Sequence, residues 1–282
     1  MTNPAPPSSS PAALPPIGFI GGGNVASAIL GGLIRQGMPA SAFEVVEPFE
    51  EARQRLASDY GIAAMAQAGA ALARCELLVW AVKPQMFAEA AQPVREHAAG
   101  ALHQSVAAGI PSQSIARWLG SERIVRAMPN TPALIGQGTT ALYARDAVGM
   151  DERGMVERVL APTGQLLWVD AEGDLDAVTA MSGSGPAYVF YFIEAMTEAG
   201  IDMGLTPEQA HQLAVGTFTG ASALASGSTE PPSVLRQRVT SKGGTTYAAI
   251  TSMEGAQVKQ KFKDAMRAAQ ARARELGEEF GK

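Results

Sequence analysis

The chain has 282 residues, 46% hydrophobic and 17% charged, enough to bury a core in one large or two ordinary domains and too apolar for global disorder. Its net charge of −5 excludes the basic footprint that nucleic-acid binding requires. A single cysteine, Cys75, excludes an internal disulfide and a Cys-cluster metal site, and it suits a reducing, cytoplasmic setting.

Residues 1–16 (MTNPAPPSSSPAALPP) carry six prolines and three serines. They read as a disordered tail, without the basic and apolar regions of a secretory signal. No apolar stretch reaches membrane-spanning length, so no membrane partner is expected. His97, His103 and His211 fall in no ligand spacing and read as surface or packing residues, so no metal is expected.

Ile17 to Ile20 is a strand-type apolar run. Gly21, Gly22, Gly23, Asn24, Val25 and Ala26 follow as G-x-G-x-x-A, then an apolar pattern of helical period. Strand, glycine turn and helix form the context in which this fingerprint binds a dinucleotide. Gly21 permits the turn, Gly23 admits a pyrophosphate, and Ala26 lets helix and strand pack closely. The helix N-terminus offers free N–H groups to phosphate. Gly31 and Gly32 argue for an irregular helix further on.

Phe43 to Val46 reads as a second strand ending at Glu47. An acid there can accept hydrogen bonds from the adenosine ribose and disfavours a 2′-phosphate; a solvated loop glutamate is the other reading. Glu50 to Tyr60 reads as a helix. Glu76 to Val82 (ELLVWAV) is the continuous apolar run of a buried parallel strand. Lys83 and Pro84 follow at its carboxyl end, where ligands sit in open α/β sheets, although a lone lysine is more often simply solvated. The segment Ser105 to Gly109 and the stretch Arg123 to Met128 read as further strand ends, while Thr139 to Tyr143 and Gln165 to Val169 extend the far edge. The alternation predicts an α/β domain with a doubly wound parallel sheet over 17–172.

From residue 173 strand signals vanish and helical patterns take over, giving an all-α second domain over 173–282. Pro186 opens one helix, and Thr206 to Gln209 is a capping box for the next. Pro232 starts a short helix, and Val258 to Phe280 is a charged last helix. Val189, Phe190, Phe192, Ile193 and Met196 surround their helix, so it must be covered, which predicts a homo-oligomer. The stretch Thr240 to Thr246 combines hydroxyls, two glycines and a helix start. It can form an anion nest for a carboxylate, or be an ordinary N-capped turn.

Four sets of residues together resemble the pyrroline-5-carboxylate reductase family. They are IGFIGGGNVA at 17–26, AVKP at 81–84, RAMPNTPA at 126–133 with SGSGPAY at 182–188, and SKGGTT at 241–246. The resemblance implies an N-terminal Rossmann domain, a C-terminal helical dimerisation domain, and a homodimer that can assemble into a decamer. It implies reduction of a small-molecule substrate, 1-pyrroline-5-carboxylate, to L-proline by hydride transfer from NADPH or NADH. It also implies cofactor contacts at Gly21 through Val25, at Ala81, Val82, Lys83 and Pro84, and at Ala107, Ala108 and Gly109. Substrate contacts are implied at Ser241, Gly244, Thr245 and Thr246, with the Thr246 hydroxyl on the ring nitrogen as the catalytic contact, and at Glu172.

Two departures from the family pattern stand out. Glu47-Pro48-Phe49 replaces a Ser-Asn-Arg type sequence suited to a 2′-phosphate, which makes NADH plausible. Lys242 replaces a proline in the substrate loop. A β-hydroxyacid dehydrogenase is the alternative enzyme class, but it needs a lysine that SGSGPAYVFYFIEAMTEAG lacks. A non-catalytic NAD(P)-binding protein would have no use for the 241–246 stretch.

Overall fold

The computed structural model describes residues 14–98 and 100–281, so most of the expected N-terminal tail lies outside the described residues. The chain forms two compact units. One contains the residues up to Thr179 together with those from Arg272 onward, and the other is Ala180–Ala271.

The first unit is built on one seven-stranded sheet. Its strands are β1 (Ile17–Ile20), β2 (Phe43–Val46), β3 (Leu77–Trp80), β4 (Leu102–Ser105), β5 (Ile124–Met128), β6 (Gly138–Ala144) and β7 (Gly164–Trp168). Their order is β2-β1-β3-β4-β5-β6-β7. The first five run parallel, β6 runs antiparallel to β5, and β7 runs parallel to β6. The parallel Rossmann-like arrangement read from the sequence is therefore present, and the two weaker strands do extend its far edge. The antiparallel direction of β6 departs from the all-parallel sheet expected, and nothing in the run Thr139 to Tyr143 marked it.

Both sheet faces are covered, as the near-continuous apolar strands require. Ile17 and Phe19 of β1, and Leu77 and Val79 of β3, point into one core with Ile29, Leu30 and Leu33. These last three belong to α1 (Asn24–Arg35). Leu56 of α2 (Glu50–Tyr60) and Val156 of α5 (Met150–Leu160) join it. Leu78 and Trp80 alternate to the opposite face. There they meet Phe87, Ala91 and Val94 of α3 (Phe87–Arg95) and Ile115 and Leu119 of α4 (Ser112–Leu119). A short α6 (Asp174–Val178) closes the unit.

The helix α1 is continuous through Gly31 and Gly32, against the irregularity expected there. The reason is packing. A Cβ on Gly32 would lie 2.4 Å from Pro162 Cβ, so the missing side chain brings the helix onto the Ala161–Thr163 turn.

The second unit holds α7 (Gly185–Asp202), α8 (Pro207–Ser226), α9 (Pro232–Arg238), α10 (Thr245–Gly255) and the first part of α11 (Val258–Phe280). Thr206 and Gln209 form the predicted capping box, each side chain bonding the other's backbone N–H. A single turn of π-helix, Thr179–Gly183, precedes α7. Tyr188 and Phe192 of α7 meet Phe262 of α11 edge to face. Yet Phe190, Tyr191 and Leu224 stay 65%, 68% and 75% exposed. No helix among the described residues is long and apolar enough to cross a membrane.

His103 of β4 is buried, and its Nδ1 accepts a hydrogen bond from Trp80 Nε1 at 3.2 Å. Burial, with the nearby Arg123 charge, pushes its pKa down to about 4. The native state thus holds the neutral ring. That preference costs nothing above the unfolded value of 6.5 and removes stability as pH falls toward about 4, by roughly 3 kcal/mol in all. Denaturant titration across this window should show wild type losing stability more steeply than His103→Gln. Parallel losses in the two proteins would assign the acid sensitivity to other groups.

Candidate cofactor and substrate sites

The carboxyl ends of β1, β2 and β3 converge where the strand order reverses, the place at which open α/β sheets take ligands. Backbone bonds lock them together. Gly21 N–H donates to Val46 O at 2.8 Å, and Ala81 N–H donates to Ile20 O at 2.8 Å. Gly21 has φ +95°, and a Cβ there would lie 2.5 Å from Ala81 O. Only glycine satisfies both constraints.

Glu47 braces this turn. Its Oε2 accepts the Gly22 N–H at 2.7 Å and its Oε1 accepts the Phe49 N–H at 2.9 Å. The residue is only 6% exposed. The Arg53 guanidinium bonds the carbonyls of Glu47 and Pro48, fixing the loop from the α2 side.

Gly23 is different. Nothing lies within 4 Å of a Cβ built there, so it faces open space. It is the N-cap of α1 and no side chain caps the helix. The first amide of the helix to find a backbone acceptor is that of Ser27, on Gly23 O. The preceding amides, Asn24 and Val25 among them, are left for a ligand, and the helix dipole favours an anion there. This set can hold the pyrophosphate of a dinucleotide.

A cleft of about 740 Å³ opens in front of the turn, lined by Gly21, Gly23, Glu47, Arg55, Val82 and Lys83 among others. Lys83 is exposed and extended (φ −63°, ψ 144°) before Pro84, which starts a short 3-10 turn. A second, more apolar recess of about 460 Å³ shares Gly21, Pro48 and Val82 with the cleft and is sized for a flat ring. Phe49, named from the sequence beside Glu47, lines the cleft from the N-cap of α2, whereas sequence reading missed Arg55 and Met86, which line these hollows from α2 and the turn before α3. They belong to no motif, because only the fold brings them to the glycine turn.

Ala107, Ala108 and Gly109 follow β4, the neighbour of β3, and lie outside the lining of the cleft. Ala107 N–H donates to Ser105 Oγ at 3.2 Å, and Gly109 has φ +80°. Glu172, also in this unit, has both carboxylate oxygens engaged. Ser112 N–H and its hydroxyl donate to them at 2.5 and 2.7 Å, and Arg126 Nη1 lies at 2.8 Å. Burial raises the pKa of this carboxyl, but those hydrogen bonds and the Arg126 charge outweigh it and hold the group below the usual range. The anchors Ser112 and Arg126 were not singled out from the sequence, although Arg126 opens the quoted RAMPNTPA stretch.

Ser241, Gly244, Thr245 and Thr246 belong to the second unit. Gly244 N–H donates to Ser241 O at 3.0 Å, closing a turn in which Gly243 has φ +76°. Gly244 is the N-cap of α10, with no side-chain cap. The first helix amide with a backbone acceptor is Ala248, so those of Thr245 and Thr246 remain open. Ser241, Thr245 and Thr246 are exposed. Free amides and hydroxyls at a helix start can receive a carboxylate.

Residues 172–276 match the pyrroline-5-carboxylate reductase dimerisation family, and residues 16–109 match the family described as NADP oxidoreductase, coenzyme F420-dependent. A pyrroline-5-carboxylate reductase of Pseudomonas aeruginosa is 42% identical, over 95% of this chain and 98% of that protein. The one from Haemophilus influenzae is 39% identical, over 92% and 97%. The solved pyrroline-5-carboxylate reductase of Coxiella burnetii superposes with a TM-score of 0.87 at 35% identity, covering 94% of this chain and 99% of that one. The Plasmodium falciparum pyrroline carboxylate reductase, solved with NADP bound, gives 0.83 at 27% identity, covering 93% and 98%. The chain belongs to the pyrroline-5-carboxylate reductase family.

Proposed function

We propose that this protein reduces 1-pyrroline-5-carboxylate to L-proline, the last step of proline biosynthesis, using NADPH or NADH. The observation that carries the reading is end-to-end similarity to reductases of that name, at up to 42% identity, in a chain whose glycine turn and α1 start have the chemistry of a pyrophosphate cradle.

The reduced nicotinamide supplies the hydride when bound. The chain's own residues do the rest. Gly21 to Val25 receive the pyrophosphate, and Ala81 to Pro84 border the cofactor. Ala107 to Gly109 flank the nicotinamide side with small groups that admit a flat ring. Glu47 lines the cleft, where it accepts a ribose hydroxyl and opposes a 2′-phosphate, so it tilts preference toward NADH.

The open amides of Thr245 and Thr246, with the Ser241 hydroxyl, take the substrate carboxylate. The Thr246 hydroxyl bonds the ring nitrogen and orients the C=N carbon. A protonated imine is already electrophilic, so capture and orientation supply the rate without a nucleophile. We read Glu172, whose carboxylate takes the Ser112 N–H and hydroxyl and the Arg126 guanidinium, as a further substrate contact.

The dimerisation domain marks the chain as one that associates, and the exposed apolar side chains of α7 and α8 give the physical reason. We read the dimer as able to assemble into a decamer. The Cys75 thiol, pushed up to about 11 by burial and by Glu44, is inert and suits the reducing cytoplasm.

Loss of reduced-nicotinamide absorbance with 1-pyrroline-5-carboxylate tests the reaction. Thr246→Ala should lower kcat/KM about 100-fold, and Thr245→Ala less than about tenfold. Equal kinetics for wild type and Thr246→Ala would remove Thr246 from its place. Size-exclusion chromatography with light scattering should give a dimer or a multiple of it at micromolar concentration. A monomer would contradict the assembly.

A further inference from the structure

The last helix returns to the first unit. From Arg272 onward α11 belongs to the sheet domain, although the chain between Ala180 and Ala271 does not. Its end lies along the loop that follows β4. A Cβ on Gly277 would lie 2.8 Å from Gly109 O. A Cβ on Gly109 would lie 3.2 Å from Leu276 Cβ. Two backbones approach here with no side chain between them.

The contact continues down the loop. Gly281 O accepts hydrogen bonds from the Ser114 hydroxyl and from Arg117 Nη2, the latter at 3.0 Å. A Cβ on Gly281 would lie 2.7 Å from Pro111 Cδ. Phe280 packs against the core that contains Ile110 and Ile115. The chain end therefore grips the loop at Gly109 and Pro111 and the start of α4 at Ser114 and Arg117. Gly109 has φ +80°, so its carbonyl direction is set by this local backbone and by what presses on it.

We infer that the 276–281 end of α11 is a positioning element for hydride transfer: Gly277 holds the Gly109 carbonyl, and with it the Ala107–Gly109 segment, in place beside the nicotinamide. This rests on the reading of Ala107–Gly109 as the nicotinamide flank. The adenosine end of the cofactor site is formed by other strand ends, β1 to β3, and does not depend on the contact. The prediction is a split between the two ends of the cofactor.

Gly277→Ala adds one methyl group to a helical position, where alanine is the better helix former, so the variant should fold. Its kcat/KM for the reduced cofactor should fall about tenfold, mostly in kcat. Its Kd for ADP-ribose, a probe without nicotinamide, should stay within about twofold of wild type. Ser114→Ala, which removes one grip on Gly281 and adds no bulk, should shift kcat the same way by a smaller factor. Unchanged kinetics in both variants would overturn the proposal. So would an equal loss in ADP-ribose binding, which would mark a general disturbance of the fold. Ala108→Val separates the premise from the inference. If it leaves hydride transfer intact, the nicotinamide reading fails and the proposal with it. If it impairs transfer while Gly277→Ala does not, only the role of α11 is overturned.

Discussion

One buried carboxylate ties the cofactor end of the molecule together. Glu47 stands at the end of β2 and takes the amides of Gly22 and Phe49 on its two oxygens, while its own N–H donates to Met65 O at 2.8 Å. Hydrogen bonds to a charged group contribute roughly 1.5–3 kcal/mol each, and leaving a buried partner unpaired costs as much again. The glycine turn is therefore held before any ligand arrives. Gly21 is pinned against Ala81 O on one side, and Gly22 is pinned to Glu47 on the other. Gly23, by contrast, lines the cleft with nothing within 4 Å of a Cβ built on it. Catalysis by orientation depends on such preorganisation, because the ligand does not have to spend binding energy on ordering the loop.

The two units solve different physical problems. The sheet unit buries strands on both faces and needs no partner to do so. The helical unit buries little within itself. Gly200 lets α7 and α8 approach closely, since a Cβ there would lie 2.8 Å from Ala210 Cβ. Outward, however, the same helices present Phe190, Tyr191 and Leu224. A dimerisation domain is a set of helices whose apolar surface exceeds what one copy can cover.

Much of this was legible because the strongest signals are local. The turn Gly21 to Val25 needs glycine where φ is positive and where backbones meet, and that requirement appears in adjacent positions. The Thr206 capping box and the run Leu77 to Trp80 are legible for the same reason. What was hidden is non-local. The Gly31–Gly32 pair argued for an irregular helix, because the groups packed on it, Tyr60 at Gly31 and Pro162 at Gly32, lie far along the chain. Glu172 carried no sign of Ser112 and Arg126, since a carboxylate's partners are set by packing. The grip of Gly277 on Gly109 was equally silent, because a glycine in a charged helix reads as a weak spot until the approaching carbonyl is seen.

We propose that Glu47, besides bracing the glycine turn, tilts the choice between the two cofactors. The most direct test is the ratio of kcat/KM for NADPH to that for NADH with 1-pyrroline-5-carboxylate, compared in wild type and Glu47→Gln. The amide keeps the shape and one acceptor oxygen but removes the charge facing a 2′-phosphate. The ratio should rise about tenfold or more, with NADH turnover weakened. An unchanged ratio in a folded variant would contradict the proposal, and would leave Glu47 as a structural brace with no part in choosing the cofactor.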